Sequence, residues 1–350
     1  MAHNGLDALF VTRPVSIAYL TGFHAEPHER LMALVIRSDT SSLIVPALER
    51  ERASTNSEHA AVLAWRDGED PFALVHETLG TCARLGVEKD HLTVQTAEVL
   101  GAAPKGLELV DVAPEIRRLR LYKSREEVEK LSRACAITDA VVDEVMHGLR
   151  SGQSELEVAL RIGAAIGARD ATLSFEVSVQ SGSNSAMPHH DPSGRKLEPG
   201  DLVLLDFGAA VEGYRGDITR MAVVGEPSAR QREIHTLVLR AHDTAIAVAR
   251  PGATTGQVDS AARDVIDAAG FGDRFFHRSG HGLGLEVHED PSLDPGSSIV
   301  LEPGMVFTIE PGIYIPGWGG VRIEDDVVLE ADGCRVLTSS DRSLRVVQPS

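Results

Sequence analysis

The chain has 350 residues, 43% of them hydrophobic, and carries 52 acidic against 34 basic side chains for a formal net charge of -18. That length is enough for two domains or for one large domain with an appendage. The negative balance disfavours nucleic acid and anionic membrane surfaces as partners, because phosphate surfaces attract the opposite sign.

The three cysteines, Cys82, Cys135 and Cys334, stand far apart and form no CxxC pair. This speaks against a disulfide framework and a thiolate zinc site, and a reducing cytoplasm fits best. The opening stretch, MAHNGLDALFVTRP, has no basic run leading into an apolar one, and no segment approaches the length of a membrane span. The expectation is a soluble, cytoplasmic protein.

From Asp7 to about Leu119, short apolar runs alternate with helical ones. LDALFVT, LMALVIRS and SSLIVPA read as strands, PFALVHETLGTCARLG as a helix, and HLTVQT as a further strand, which together predict a small α/β domain. The first strand begins almost at Met1, with no helix before it. The charged run RRLRLYKSREE, around Arg117 to Arg125, lacks strand character and marks a boundary, dividing the chain into residues 1–120 and 121–350. A long helix is predicted next, because Ser124 stands three residues before Glu127 in a capping-box spacing and apolar residues follow at helical intervals.

Beyond that helix the chain repeats itself. LEPGDLVLLDFG from Leu197 is echoed by LEPGMVFTIEPG from Leu301, and LRSGQSELEV from Leu149 more weakly by ARPGATTGQV from Ala249. The first echo places Glu310 where Asp206 stands. A repeat this long predicts two similar half-domains packed face to face, with Asp206 and Glu310 near the axis.

Asp206 ends the apolar run Leu202 to Leu205, which reads as a buried strand containing no Lys or Arg. Asp217 opens a second strand, Ile218 to Val224, and Gly208, Gly213 and Gly216 suit a hairpin-like connection that lets the two carboxylates meet. Paired buried carboxylates raise one another's pKa, and a multivalent cation resolves the conflict. Taken alone, the stretch also reads as a capped turn with two exposed Asp residues.

Further candidates fall in the same two halves. HRSGHGLGLEVHEDP contributes His277, His281 and His288; GGVRIEDD places Glu324 in an apolar strand with Arg322 on the same face; MPHHDP supplies His189 and His190. Any one of these histidines has a plain reading as a hydrogen-bonded structural residue, and Arg322 with Glu324 as a structural salt bridge. Together, Asp206, Asp217, Glu310, Glu324 and His281 have the composition of a two-metal site with hard ligands, favouring manganese, iron or cobalt over a structural zinc.

DFG with a second Asp after a loop, then HGLGLEVHE, IEPGIY and VRIED in that order, resembles the pita-bread metallopeptidases: prolidase, aminopeptidase P and methionine aminopeptidase. The resemblance spans the chain. It implies an α+β protein: a creatinase-like α/β domain at 1–120, then a duplicated α+β, pita-bread catalytic domain at 121–350. It also implies that Asp206, Asp217, His281, Glu310 and Glu324 hold two divalent ions, with Asp217 and Glu324 bridging them; manganese is expected, with cobalt, zinc or iron as alternatives. His189 resembles the family's transition-state histidine, His277 and His288 its substrate-contacting histidines, and Arg322 its outer arginine. Glu310 acquires a second role in handling the water proton.

YLTGFHAEPHERLMALVI followed by IVPALERERA resembles the prolidase branch, Xaa-Pro dipeptidases of the bacterial cytoplasm, in which a loop bearing an acid and a histidine reaches the partner subunit's active site. That implies a homodimer, with Glu26 and His28 as substrate-binding residues. Glu26 stands where an Asp is expected, and the first helix of that branch is missing. Three other readings remain: an Xaa-Pro aminopeptidase acting on longer peptides, a creatinase-like hydrolase without metal, and a pita-bread binding protein without catalysis.

Overall fold

The computed structural model describes residues 5–102 and 106–348; the beginning of the opening stretch, at 1–4, lies outside the described residues. Two compact units divide the chain, Met1–Arg120 and Leu121–Ser350.

The first unit follows the order β1 (Ala8–Val11), α1 (Pro14–Thr21), β2 (Ala33–Ile36), β3 (Ser41–Pro46), α2 (Arg50–Asn56), β4 (Ala61–Trp65), α3 (Pro71–Leu79), β5 (Arg84–Val87), α4 (Val94–Ala102), β6 (Glu108–Asp111) and α5 (Ala113–Leu121). Among the described residues, its six strands form one mixed sheet in the order β4-β3-β2-β1-β5-β6. Alternation along the strands fills a core on each face. Ala8, Phe10, Ala33, Val35 and Ile44 bury on one side, and Val11, Leu34, Leu43 and Val45 on the other.

The α/β expectation holds, but two local readings do not. HLTVQT is a turn leading into α4, because Thr93 Oγ1 accepts from Thr96 N at 3.1 Å and starts the helix there. The helix read through CARLG stops at Leu79; Gly80 adopts φ 56, and the rest of the run becomes β5, parallel to β1. YLTGF is the end of helix α1 with its Gly22 cap at φ 76, so that a helix precedes the HAEPHER loop.

The second unit opens with α6 (Arg125–Gly148), and both halves of its predicted Ser124–Glu127 capping box are present. It continues with α7 (Glu155–Gly167), β7 (Thr172–Leu173), β8 (Ser178–Ser181), β9 (Leu202–Phe207), β10 (Ala209–Val211), β11 (Tyr214–Arg215) and β12 (Ile218–Val224). Then come α8 (Ala229–Val248), α9 (Thr255–Ala268), β13 (His281–Gly282), β14 (Glu289–Ser292), β15 (Val306–Ile309), β16 (Gly312–Ile315), β17 (Gly319–Arg322), β18 (Asp325–Glu330), β19 (Gly333–Val336) and β20 (Arg345–Val347). The two main sheets are β20-β12-β9-β8 and β14-β13-β15-β18-β19.

The duplication is visible bond by bond. Gly152 N donates to Leu197 O at 2.8 Å, and Gly252 N donates to Leu301 O at 2.9 Å; Leu197 N and Leu301 N return bonds to Gln153 O and Ala253 O at 2.9 and 2.8 Å. Ser154 and Thr254 each cap the helix that follows with a capping box. Gly200 N reaches Val224 O, and Gly304 N reaches Leu329 O, at 2.7 and 2.8 Å.

Strand parity aims the functional side chains. Along β9, Val203, Leu205 and Phe207 pack with α6 and α7, whereas Leu202 and Leu204 pack toward the second half, and Asp206 shares their parity. On β12, Thr219 lies opposite Asp206 and shares parity with Met221 and Val223. Among the described residues no helix is long and apolar enough to cross a membrane. The three cysteines are free, Cys82 and Cys135 being buried.

Candidate metal centre

β9 and β12 run antiparallel with β10 and β11 folded between them, and this loop is what brings Asp206 and Asp217 together. Gly208 is obligatory there, since a Cβ would stand 1.7 Å from Gly216 O. Gly280 does the same for the second half: its Cβ would meet Thr308 O at 1.9 Å, so only glycine lets β13 press against β15 and present His281.

Glu324 corrects one expectation. The run GGVRIEDD is not one strand: β17 and β18 lie in different sheets, and Glu324 falls between them, bridged to Thr219. Parity nonetheless survives the break. Val321 and Ile323 enter the core, and Arg322 and Glu324 point the other way.

Asp206, Asp217, His281, Glu310 and Glu324 line one cavity of about 780 Å³, together with His189, His277, His288 and Arg322. Donor atoms of Asp217, His281 and Glu324 lie within 4.8 Å of one another. His281 Nε2 is 3.3 Å from Glu310 Oε1 and 3.8 Å from Asp217 Oδ2. The other ring nitrogen, Nδ1, lies 3.2 Å from Gly282 O, which places its proton there and leaves Nε2 as a lone pair facing the acids. Thr308 Oγ1 accepts from His281 N and donates to Glu310 Oε1, tying the imidazole to that carboxylate.

A basic residue does stand beside Asp206, although none occurs in its strand. Arg322 Nη2 donates to Asp206 Oδ2 at 2.5 Å, its Nε to Thr219 Oγ1 at 2.8 Å and its Nη1 to Tyr314 Oη at 3.0 Å. Thr219 Oγ1 in turn donates to Glu324 Oε2 at 2.6 Å.

One guanidinium cannot balance four carboxylates. Like charges about 4 Å apart repel by about 4 kcal/mol at an effective dielectric of about 20. Burial and then Glu324 and Asp206 push Asp217 well above the usual carboxylate range; burial and then Glu310 do so for Glu324. Burial also raises Asp206 against the pull of Arg322, and pushes Glu310 up to about 7. The His281 imidazole is lowered to about 3, by burial and then by His288, so it is a neutral donor at pH 7. Asp206 Oδ1 and Asp217 Oδ1 are buried with no hydrogen-bond partner. Oxygens in that condition, beside an imidazole lone pair, fit divalent cations of the hard, oxygen-preferring kind.

His277 lines the same cavity. Its Nδ1 donates to Arg278 O at 2.7 Å, and its Nε2 accepts from Tyr314 Oη at 2.9 Å. Burial lowers it to about 4, which keeps it neutral. His288 packs edge-on against His281 with ring centroids 4.3 Å apart, and burial lowers it too. Glu26 and His28 are exposed residues of the N-terminal unit, and His28 has φ 52. The cavity is lined from the other unit.

Thr219, Tyr314 and Asp326 escaped the sequence reading. Asp326 Oδ2 accepts from Asp217 N at 2.8 Å and from Cys135 Sγ at 3.2 Å; burial pushes its carboxyl up to about 8. Signals existed for two of them, since Thr219 closes the DFG-to-GDIT stretch and Tyr314 closes IEPGIY. Asp326 had none, because its partners lie 109 and 191 residues away.

Two family models match the chain: metallopeptidase family M24 over residues 129–331, and the creatinase/prolidase N-terminal domain over residues 1–122. An Xaa-Pro dipeptidase of Lactobacillus helveticus is 40% identical, over 97% of this chain and 95% of that protein. Among solved structures, the prolidase from Pyrococcus horikoshii OT3 superposes with a TM-score of 0.92 at 36% identity, over 98% of this chain and 97% of that one. The X-Pro aminopeptidase from Thermotoga maritima MSB8 does so with a TM-score of 0.90 at 32% identity, over 98% of each chain. With its metal-ligand chemistry, its duplicated catalytic unit and these full-length likenesses, the chain belongs to metallopeptidase family M24 and carries the creatinase/prolidase N-terminal domain ahead of the catalytic one.

Proposed function

We propose that the protein is a divalent-metal-dependent Xaa-Pro dipeptidase, acting in the cytoplasm as a homodimer. The observation that carries this reading is the convergence of four carboxylates, two buried and two part-buried, and a neutral imidazole, with two carboxylate oxygens left without a hydrogen-bond partner. The full-length likeness to Xaa-Pro dipeptidases supports the substrate class.

Asp206, Asp217, His281, Glu310 and Glu324 would hold two ions, manganese first, with cobalt, zinc or iron as alternatives. Such ions, when bound, supply Lewis acidity to a carbonyl and lower the pKa of a water. The chain's own residues do the rest. Glu310 takes a proton from the attacking water and passes it to the proline nitrogen of the departing residue. That nitrogen belongs to a tertiary amide with no N–H to grip, so recognition falls on the two ends of the dipeptide and on its carbonyl.

His189 lines the cavity and serves as the donor to the oxyanion that forms when that carbonyl is attacked. Neutral His277 and His288 contact the substrate, and Arg322 keeps Asp206 ionised and aimed. Glu26 and His28 belong to the partner-facing loop of the dimer and limit substrate length.

The decisive experiment is a panel of Xaa-Pro dipeptides against Xaa-Pro-Xaa tripeptides with added manganese. Dipeptide cleavage with tripeptides refused is the expected result. Equal cleavage of both would make an Xaa-Pro aminopeptidase the better reading, and activity that survives exhaustive chelation would overturn the metal-dependent one.

A further inference from the structure

The segment between β8 and β9 carries His189, and two buried polar side chains outside the cavity lining grip its backbone. Gln180 is fully buried in β8, opposite Leu204 of β9. Its Nε2 donates to Pro188 O at 3.0 Å and to His190 O at 3.4 Å, the carbonyls on either side of His189, and lies 3.1 Å from Ser178 Oγ. The amide nitrogen must face this way, since an acceptor there would confront two carbonyl oxygens. Ser178 Oγ adds a second bond to His190 O at 3.4 Å.

Glu155, fully buried at the start of α7, closes the base of the same segment. One end is held through Ser181 N and Oγ, both at 2.7 Å, and the other through Ser193 N and Oγ at 3.1 and 2.6 Å; Asn184 in between donates at 3.0 Å. Five donors on one carboxylate are far more than capping a helix requires. What they share is the chain that presents His189, itself an exposed residue on the cavity wall. A free surface loop would give that side chain many positions and leave the ordering cost to be met in the transition state.

We propose that Gln180 is a positioning residue for His189, fixing the backbone on both sides of it, with Glu155 holding the ends of the loop so that the imidazole is preset toward the reacting carbonyl. The proposal rests on His189 acting as the oxyanion donor. It requires Gln180 to work through His189 and through nothing else.

A double-mutant cycle with Gln180→Met, His189→Ala and the pair, assayed on Ala-Pro with manganese, separates the two ideas. Gln180→Met keeps the side-chain length and removes the donor. Expected is a loss in kcat of about tenfold or more with KM, metal content and Tm close to wild type, because small misplacements of a catalytic group cost rate. In the His189→Ala background the same change should alter kcat less than twofold, since coupled residues are not additive. Equal losses in both backgrounds would overturn the proposal while leaving His189 in its role, and so would a folded Gln180→Met protein with wild-type kcat. A His189→Ala protein with wild-type kcat would overturn the reading of His189 itself, and the proposal with it. If Gln180→Met does not fold, Ser178→Ala, which removes the second bond to His190 O and the hydroxyl that accepts from Gln180 Nε2, runs the same cycle with the same criteria and a smaller expected loss in kcat.

Discussion

Arg322 and Asp206 stand 116 residues apart in sequence and share a 2.5 Å hydrogen bond, which ties the second half of the duplicated unit to the first across the cavity. Arg322 is buried and Asp206 part-buried, with side-chain exposures of 6% and 16%. Removing one member of a buried pair leaves the other charge unpaired, at a cost of about 3–5 kcal/mol. Arg322→Met is therefore expected to lower the stability of chelated protein by about that amount, and by less once metal is restored. Denaturant unfolding with and without manganese checks this. Equal losses in the two conditions would mean that the arginine does not share the cations' task.

Metal content is the most direct measurement. Elemental analysis of protein reconstituted with manganese should give two ions per chain, and exhaustive EDTA treatment should abolish dipeptide cleavage. Glu324→Gln, which removes a charge shared by the cluster, should lower the metal content and the activity together.

The carboxyl shifts imply a pH dependence with a definite sign. Burial raises Glu310 from its ordinary 4.5 to about 7, and burial with neighbouring carboxylates raises Asp217 and Glu324 well above their ordinary range. A raised carboxyl costs nothing below about pH 4, where folded and unfolded chains both hold the proton; stability is then lost as pH climbs through the folded value. For Glu310 alone the loss is about 3 kcal/mol by pH 8, at 1.36 kcal/mol per pKa unit. Chelated protein should thus lose Tm between about pH 5 and pH 8, and the stabilisation by manganese should grow over the same window. A chelated Tm that rises with pH across that window would contradict the buried cluster.

His189→Ala should retain both ions and lose roughly a hundredfold or more in kcat, the scale seen when one oxyanion donor is removed. Elemental analysis beside steady-state kinetics tests both halves. Unchanged kcat in metal-loaded protein would make His189 a structural residue of its loop.

Substrate length tests the loop from Phe23 to Met32, both ends of which are buried while Glu26, His28 and Glu29 are exposed. His28→Ala is expected to slow dipeptide turnover and leave metal content untouched, and Glu26→Gln to raise KM for dipeptides with a free amino group. Sedimentation should report a dimer. A monomer with full activity would remove the loop from the site.

Much of the fold was legible because its signals are local. The Ser124–Glu127 capping box and the apolar runs of the first sheet each lie within a dozen residues, where hydrogen bonding and side-chain periodicity act directly, and the LEPG repeat shows itself when two such short segments are compared. The acids and histidines of the cavity could be named from residue type and order. Local signals also misled: HLTVQT has strand-forming residues, yet Thr93 caps a helix, and Gly80 divides what reads as one helix into a helix and a strand.

What the tertiary structure alone decided is which distant groups meet. Arg322 beside Asp206, Asp326 beneath Asp217, Thr219 between Arg322 and Glu324, and Gln180 beneath His189 follow from strand register and from glycines that let backbones touch. Such contacts leave no pattern in the sequence around either partner, because their energy is paid out only after two remote segments have been packed together. Sequence order named the chemistry of this protein; packing chose the neighbours that tune it.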